Sequence, residues 1–228
     1  MLDFHNSTLI THEISTIKSR DEIKPTVQLF PDVTLNNPII ASPMKDVVNS
    51  EVTQIVGSNG GHSVLHRFQS IGEQVKMWFH SHNKVSCAIG INGDSEQRFR
   101  ELYQAGCRRF CIDVANSSSS HVKSHIHNLL NIHSEVYFMV GNCMSWKTIS
   151  YYNDIPEVTS IRCAVGSGSS CSTRNATGLY FPLLELLKRC RHETDKILIA
   201  DGGIKEPQDM CKSIVAGADC VMIGSLIA

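Results

Sequence analysis

The most constraining feature of this chain is a rhythm of short apolar runs separated by stretches of helical periodicity. The runs cover 38–42, 63–65, 85–90, 109–114, 136–140, 160–165, 196–200 and 219–223. Each is too short for a helix and reads as a buried strand. The stretches between them, 47–58, 71–80, 95–105, 119–133, 145–152, 178–192 and 207–216, carry apolar residues at helical spacing. Gly60-Gly61, Gly106 and Gly217 follow three of them as stop signals, and Pro207 opens the last. Strand and helix alternating in this way are the signature of parallel βαβ units, and eight such units close a barrel. The expected fold is a (β/α)8 barrel, with 1–228 as a single domain. Residues 1–37 are polar and mixed, are broken by Pro25 and Pro31, and are expected to form an N-terminal arm. A doubly wound open sheet is the alternative. It lacks the glycine fingerprint expected after its first strand.

Polar residues gather at the C-terminal ends of the runs: Ser42, His66, Asp113, Asn142, Cys171, Asp201 and Ser225. In a barrel these ends form one rim, the face where active sites sit. The sixth run leads into Gly166-Ser167-Gly168-Ser169-Ser170-Cys171-Ser172-Thr173-Arg174. Glycines there let the backbone turn and face its N–H groups to an anion, with serine hydroxyls as further donors. Cys171 in such a loop is placed as a nucleophile. The plainer reading is a Gly/Ser loop carrying a small apolar residue.

Composition narrows the function classes. A hydrophobic fraction of 42% with 19% charged residues supports a full core. A net charge of -1 without a basic tail argues against nucleic acid as a partner. Nine cysteines, an odd number without any C-x-x-C pair, suggest reduced thiols in a cytoplasmic protein. No run approaches membrane-spanning length, and the first residues lack a signal-peptide layout. His121, His125 and His127 are near-helically spaced, but no carboxylate or cysteine completes a metal set.

Taken together, Pro38-Ile39-Ile40-Ala41-Ser42-Pro43-Met44, Gly60-Gly61 through His66-Arg67, Asp113-Val114-Ala115-Asn116, Gly141-Asn142, the cysteine loop, Ile199-Ala200-Asp201-Gly202-Gly203-Ile204 and Ala216-Gly217-Ala218-Asp219 through Gly224-Ser225 form an ordered set. The set resembles the IMP dehydrogenase/GMP reductase family of phosphate-binding (β/α)8 barrels over almost the whole chain. Ser15-Thr16-Ile17-Lys18-Ser19-Arg20 and Asp113-Val114-Ala115-Asn116 look like the GMP reductase branch. So does the short link from Arg67 to the third run, where dehydrogenases usually carry a regulatory CBS pair.

The resemblance implies a chemistry: NADPH-dependent reductive deamination of GMP to IMP through a thioimidate on Cys171. It implies that Thr173 handles the leaving ammonia and that Asp113 and Asn142 face the cofactor and the reacting centre. Ser42, Met44, Ser169, Asp201, Gly202, Gly203, Gly224 and Ser225 would bind the nucleotide, with Asp201 on the ribose hydroxyls. His66, Arg67, Asp113, Ala115 and Asn116 would bind the cofactor. The carbonyls of Ala164, Gly166 and Cys171 match positions that coordinate a monovalent cation such as potassium. The family also implies a homo-oligomer, a tetramer.

Departures from the pattern include Ser167 for proline, Ala164 for glycine, serines after Asn116, and Leu183 for glutamine. The family also continues past the eighth strand with a flap, a catalytic glutamate and a last helix. The barrel is therefore expected to be C-terminally shortened, with that segment absent or supplied by a partner chain. The alternatives to a GMP reductase are a non-catalytic purine-nucleotide-binding protein or subunit and an IMP dehydrogenase without CBS domains.

Overall fold

The computed structural model describes residues 1–10, 14–81, 85–164 and 180–228. Eight parallel strands close a barrel: β3 (Ile39–Ala41), β4 (His62–Leu65), β5 (Ser86–Ile89), β6 (Arg109–Asp113), β7 (Tyr137–Cys143), β8 (Val158–Cys163), β9 (Ile197–Asp201) and β10 (Cys220–Ile223). Closure is explicit in the register, since β10 pairs with β9 on one side and with β3 on the other. That pairing excludes the open-sheet alternative. Every expected strand is present, and β7 runs on past Val140 to Cys143.

Seven helices alternate with these strands among the described residues: α1 (Ser50–Ser58), α2 (Ile71–His80), α3 (Ser95–Gln104), α4 (Ser120–Ile132), α5 (Trp146–Ile149), α6 (Leu183–Arg191) and α7 (Pro207–Val215). Their ends follow local chemistry. Helix α1 starts later than its periodicity because Asn49 caps it, its Oδ1 accepting from the Val52 N–H at 2.9 Å. Ser70 and Glu73 form a capping box on α2. The helix expected over 178–192 begins only at Leu183. Pro182 occupies its N-cap with ψ 124°, and a proline disfavours helical geometry at the residue before it, Phe181. No helix of the described residues is long and apolar enough to cross a membrane.

Side chains alternate in and out along each strand. Ile40, Val64, Ala88, Cys111, Met139, Ile199, Cys220 and Met222 fill the barrel interior. Their neighbours Leu65, Cys87, Phe110, Ile112, Phe138, Ile161 and Leu198 pack outward against Trp78, Phe99, Leu102, Ile126 and Leu186 of the helices.

The arm expected over 1–37 holds a β-hairpin that its prolines concealed. Strands β1 (Val27–Phe30) and β2 (Val33–Leu35) pair antiparallel, and Pro31 and Asp32 form the turn between them. Proline fits a turn for the reason it breaks a helix, a fixed φ. Leu29, Phe30 and Leu35 join the interior cluster and seal the floor, the end of the barrel opposite the rim. Asp32 reaches Arg109 at 3.3 Å there, and the Phe30 ring lies 5.8 Å from the ring of His62.

Candidate active site at the barrel mouth

The strand register brings those of the predicted polar residues that are described to one rim. On one side Ser42, at the end of β3, donates its backbone N–H to the Ile223 carbonyl at 2.9 Å. A Cβ added to Gly224 would lie 2.9 Å from Met44 Sδ and 3.8 Å from Ser42 Cβ. Ser42, Met44 and Gly224 therefore form one patch, beside which Ser225 is exposed. Asp201 ends β9, opposite Met222 in register. Gly202 and Gly203 follow at φ 90° and 75°, a left-handed pair that a side chain would strain.

The centre of the mouth is an ionic cluster. Arg162, on β8, is buried with 5% of its side chain exposed. Its Nη1 donates to Asp113 Oδ1 at 3.0 Å, and its Nε and Nη2 donate to Asp201 Oδ2 at 3.2 and 2.8 Å. Nη1 also lies 3.3 Å from Cys111 Sγ. Burial alone would discharge the guanidinium, but the carboxylates of Asp201 and Asp113 outweigh it and hold its pKa well above the ordinary value. A second cation, Arg67, places Nε 3.4 Å from Asp113 Oδ2. Arg162 went unremarked in the sequence because it lies inside an apolar run. Its signal was a charge at an inward position of a buried strand, with aspartates ending β9 beside it and β6 two strands away.

Elsewhere around the mouth lie polar atoms that the protein leaves without hydrogen-bond partners. His66 Nδ1, Asn142 Oδ1 and Ser117 Oγ are all buried and lack one. Burial, and then Lys45 and Arg98, lower the His66 pKa, which favours the neutral ring. The Asn142 N–H donates to the Val114 carbonyl at 2.7 Å, and its own carbonyl accepts from the Ser117 N–H at 2.9 Å. These bonds lock the ends of β6 and β7 together. Ala115 and Asn116 are exposed on the loop above, where Asn116 Oδ1 accepts from the Ser118 N–H at 2.9 Å. Unpartnered buried polar atoms are costly unless a ligand satisfies them. These atoms are open to a ligand that brings hydrogen-bonding groups of its own.

Ser169, Cys171, Thr173 and Gly166 lie outside the described residues. Of the three carbonyls expected to hold a cation, only that of Ala164 is described. Ala164 is buried, and its N–H donates to the Cys143 carbonyl at 3.2 Å. No group of three His, Cys, Asp or Glu side chains among the described residues could hold a metal. His125 instead lies 2.9 Å from Ser95 Oγ. The described cysteines are mostly covered, with one exception. Cys211 is exposed on α7, while Cys87, Cys107, Cys111, Cys143, Cys163, Cys190 and Cys220 are buried. Burial raises the Cys111 thiol to about 11 and the Cys220 thiol further.

The family model of the IMP dehydrogenase / GMP reductase domain matches residues 1–228. The chain belongs to this family. Within it, the chain is 26% identical over 243 residues to GMP reductase 2 of Mus musculus, covering 100% of this chain and 68% of that one. It is 27% identical over 224 residues to the GMP reductase of Chromobacterium violaceum, covering 94% of this chain and 68% of that protein. A shorter match, 32% identical over 154 residues, joins 65% of this chain to 31% of the inosine-5'-monophosphate dehydrogenase of Staphylococcus aureus. The crystal structure of inosine 5' monophosphate dehydrogenase from Legionella pneumophila superposes with a TM-score of 0.88 at 31% identity. That superposition covers 96% of this chain and 68% of the other. The family fold is thus the barrel described above.

Proposed function

We propose that the chain carries the active site of a GMP reductase, converting GMP to IMP with NADPH. The observation that carries this reading is the pairing at one mouth of two carboxylates, Asp201 and Asp113, through Arg162, near buried polar atoms of His66, Asn142 and Ser117 that lack hydrogen-bond partners. Similarity to GMP reductases over most or all of the chain supports the same direction of chemistry.

In this reading Asp201 accepts hydrogen bonds from the ribose hydroxyls. The backbone of Gly202, Gly203 and Gly224, with Ser225 and Ser169, donates to the 5′-phosphate, and Ser42 and Met44 line the nucleotide pocket. Charge-assisted bonds of this kind are the strong ones. The Cys171 thiolate attacks purine C2 and forms an S–C2 bond. The C2–N2 bond breaks, and ammonia leaves with a proton handled by Thr173. The thioimidate then collapses as C2 gains a hydride and the S–C2 electron pair returns to sulfur, giving IMP. NADPH supplies that hydride. Asp113, Asn142, His66, Arg67, Ala115 and Asn116 would hold it, and the carbonyls of Ala164, Gly166 and Cys171 would hold a monovalent cation such as potassium. Self-association has support in the arm, where Ile10 and Ile14 are 82% and 96% exposed.

A second reading, oxidation of IMP, is favoured by the 31% identity to a solved dehydrogenase. One experiment separates them. The purified protein is incubated with GMP and NADPH, or with IMP and NAD, and nicotinamide absorbance and released ammonia are followed. Oxidation of NADPH with equimolar ammonia is expected. Reduction of NAD with IMP alone would establish the dehydrogenase. Binding of GMP by calorimetry without turnover in either assay would leave a nucleotide-binding protein.

A further inference from the structure

We infer that Arg162 is a positioning residue that couples the two ligand sites of the mouth, so that filling either one changes the affinity of the other. The inference rests on the proposed function, in which Asp201 holds the substrate ribose and Asp113 faces the cofactor.

The two aspartates are not on neighbouring strands. Strand β9 pairs with β8, but β6 is separated from β8 by β7. Arg162 spans that gap with one rigid guanidinium. Its Nε and Nη2 hold Asp201, and its Nη1 holds Asp113. The path is cleared by Gly141, which stands opposite Asp113 in the β6–β7 register. A Cβ at Gly141 would lie 2.4 Å from Arg162 Cβ and 3.2 Å from its Cδ. Only a residue without a side chain lets the arginine stem cross β7 to reach β6. Arg162 on β8 and Gly141 on β7 thus make a single device.

A lysine cannot reproduce it. An ammonium is a compact charge, whereas the planar fork presents donors in fixed directions to two acceptors at once. Stability alone does not explain the arrangement either, since buried ion clusters are often replaced by apolar residues without loss. What the fork does is fix two carboxylates relative to each other. A ribose drawing Asp201 toward itself tilts the guanidinium plane, and the same tilt moves the donor at Asp113. Coupling of this kind is reciprocal: whatever factor the cofactor applies to nucleotide affinity, the nucleotide applies to cofactor affinity.

The test is calorimetric titration of GMP into the full chain, alone and with saturating NADP+, which binds without turnover. Wild type, Arg162→Lys and Asp113→Asn are compared, with circular dichroism checking that each is folded. In the wild type, NADP+ should change the GMP dissociation constant. Arg162→Lys should weaken GMP by roughly tenfold or more, the scale of one lost charge-assisted bond, and bring the ratio with and without NADP+ to one. Asp113→Asn, whose side chain reaches the ribose carboxylate Asp201 only through Arg162, should weaken GMP severalfold, and it keeps the test decisive if the lysine variant fails to fold. GMP affinity unchanged in the folded variants, or an unchanged ratio, overturns this inference and leaves the proposed function standing. A wild-type protein that binds no GMP removes both.

Discussion

His62 and Ser86 meet on the floor of the barrel, with Nε2 and Oγ 2.8 Å apart and both residues buried. Burial, with Arg109 nearby, lowers the imidazole to about 3. The unfolded chain would titrate the same group near the ordinary value of about 6.5. Between those values the unfolded state binds more protons than the native one. The stabilisation is complete above pH 6.5 and drains away as pH falls toward 3. Its upper scale is on the order of 5 kcal/mol. Urea midpoints measured from pH 7 to pH 4 should therefore fall less steeply in His62→Gln than in wild type. Parallel slopes would mean that His62 does not titrate on unfolding.

Gln74 is expected to be the tie between α2 and its neighbours. Its Nε2 donates to the Ala88 carbonyl at 2.9 Å, and its Oε1 accepts from Arg98 Nη1 at 2.7 Å. Gln74→Leu removes that acceptor and leaves a buried guanidinium donor without it, a loss of about 1–3 kcal/mol. Thermal unfolding should show the drop. The double variant with Arg98→Met should be less destabilised than the sum of the two single changes. Simple additivity would deny the coupling.

Gly224→Ala separates binding from folding. The added methyl meets only the flexible end of Met44 closely, with Sδ at 2.9 Å, so the melting temperature should move little. In the proposed site the same methyl crowds the 5′-phosphate, and GMP affinity should fall by about tenfold, one charge-assisted bond's worth. Unaltered GMP titration in a folded variant would place the phosphate elsewhere.

Thiol labelling should report two fast cysteines. Cys211 is exposed on α7 and should react whether or not nucleotide is present. Cys171, as the proposed nucleophile, should react and be protected by GMP. In Cys211→Ser one fast, GMP-protected thiol should remain by mass spectrometry, and Cys171→Ala should abolish turnover while retaining GMP binding. A fast thiol at any buried cysteine instead would contradict both the packing and the assignment.

The barrel was legible because strand and helix differ in period, and runs such as Ile197–Asp201 are too short and too apolar to be anything but buried strands. The rim followed, because a strand's last residue in a parallel barrel faces the mouth whatever the loops do. Two features were not legible. Pro31 reads as a breaker, and only tertiary contact shows it turning β1 into β2 over the floor. Arg162 reads as one polar residue in a buried run, because its partners Asp113 and Asp201 are distant in sequence and meet it only when the strands are side by side. Helix starts shifted for a local reason, as at Asn49 and Pro182, where capping and proline sterics outweigh periodicity.

Ring closure has a consequence for how such a chain is made. Strand β3 pairs with β10, Ile39 beside Val221, although almost the whole barrel lies between them in sequence. During synthesis β3 therefore waits as a bare edge until the last strand has emerged. Until then the growing sheet has two open margins, each a template for a neighbouring chain. Only three residues of β3 are strand, so that waiting edge is short. Brevity here limits how long a stray strand can hold on, and it leaves the seam to be closed by the chain's own final turn of the barrel.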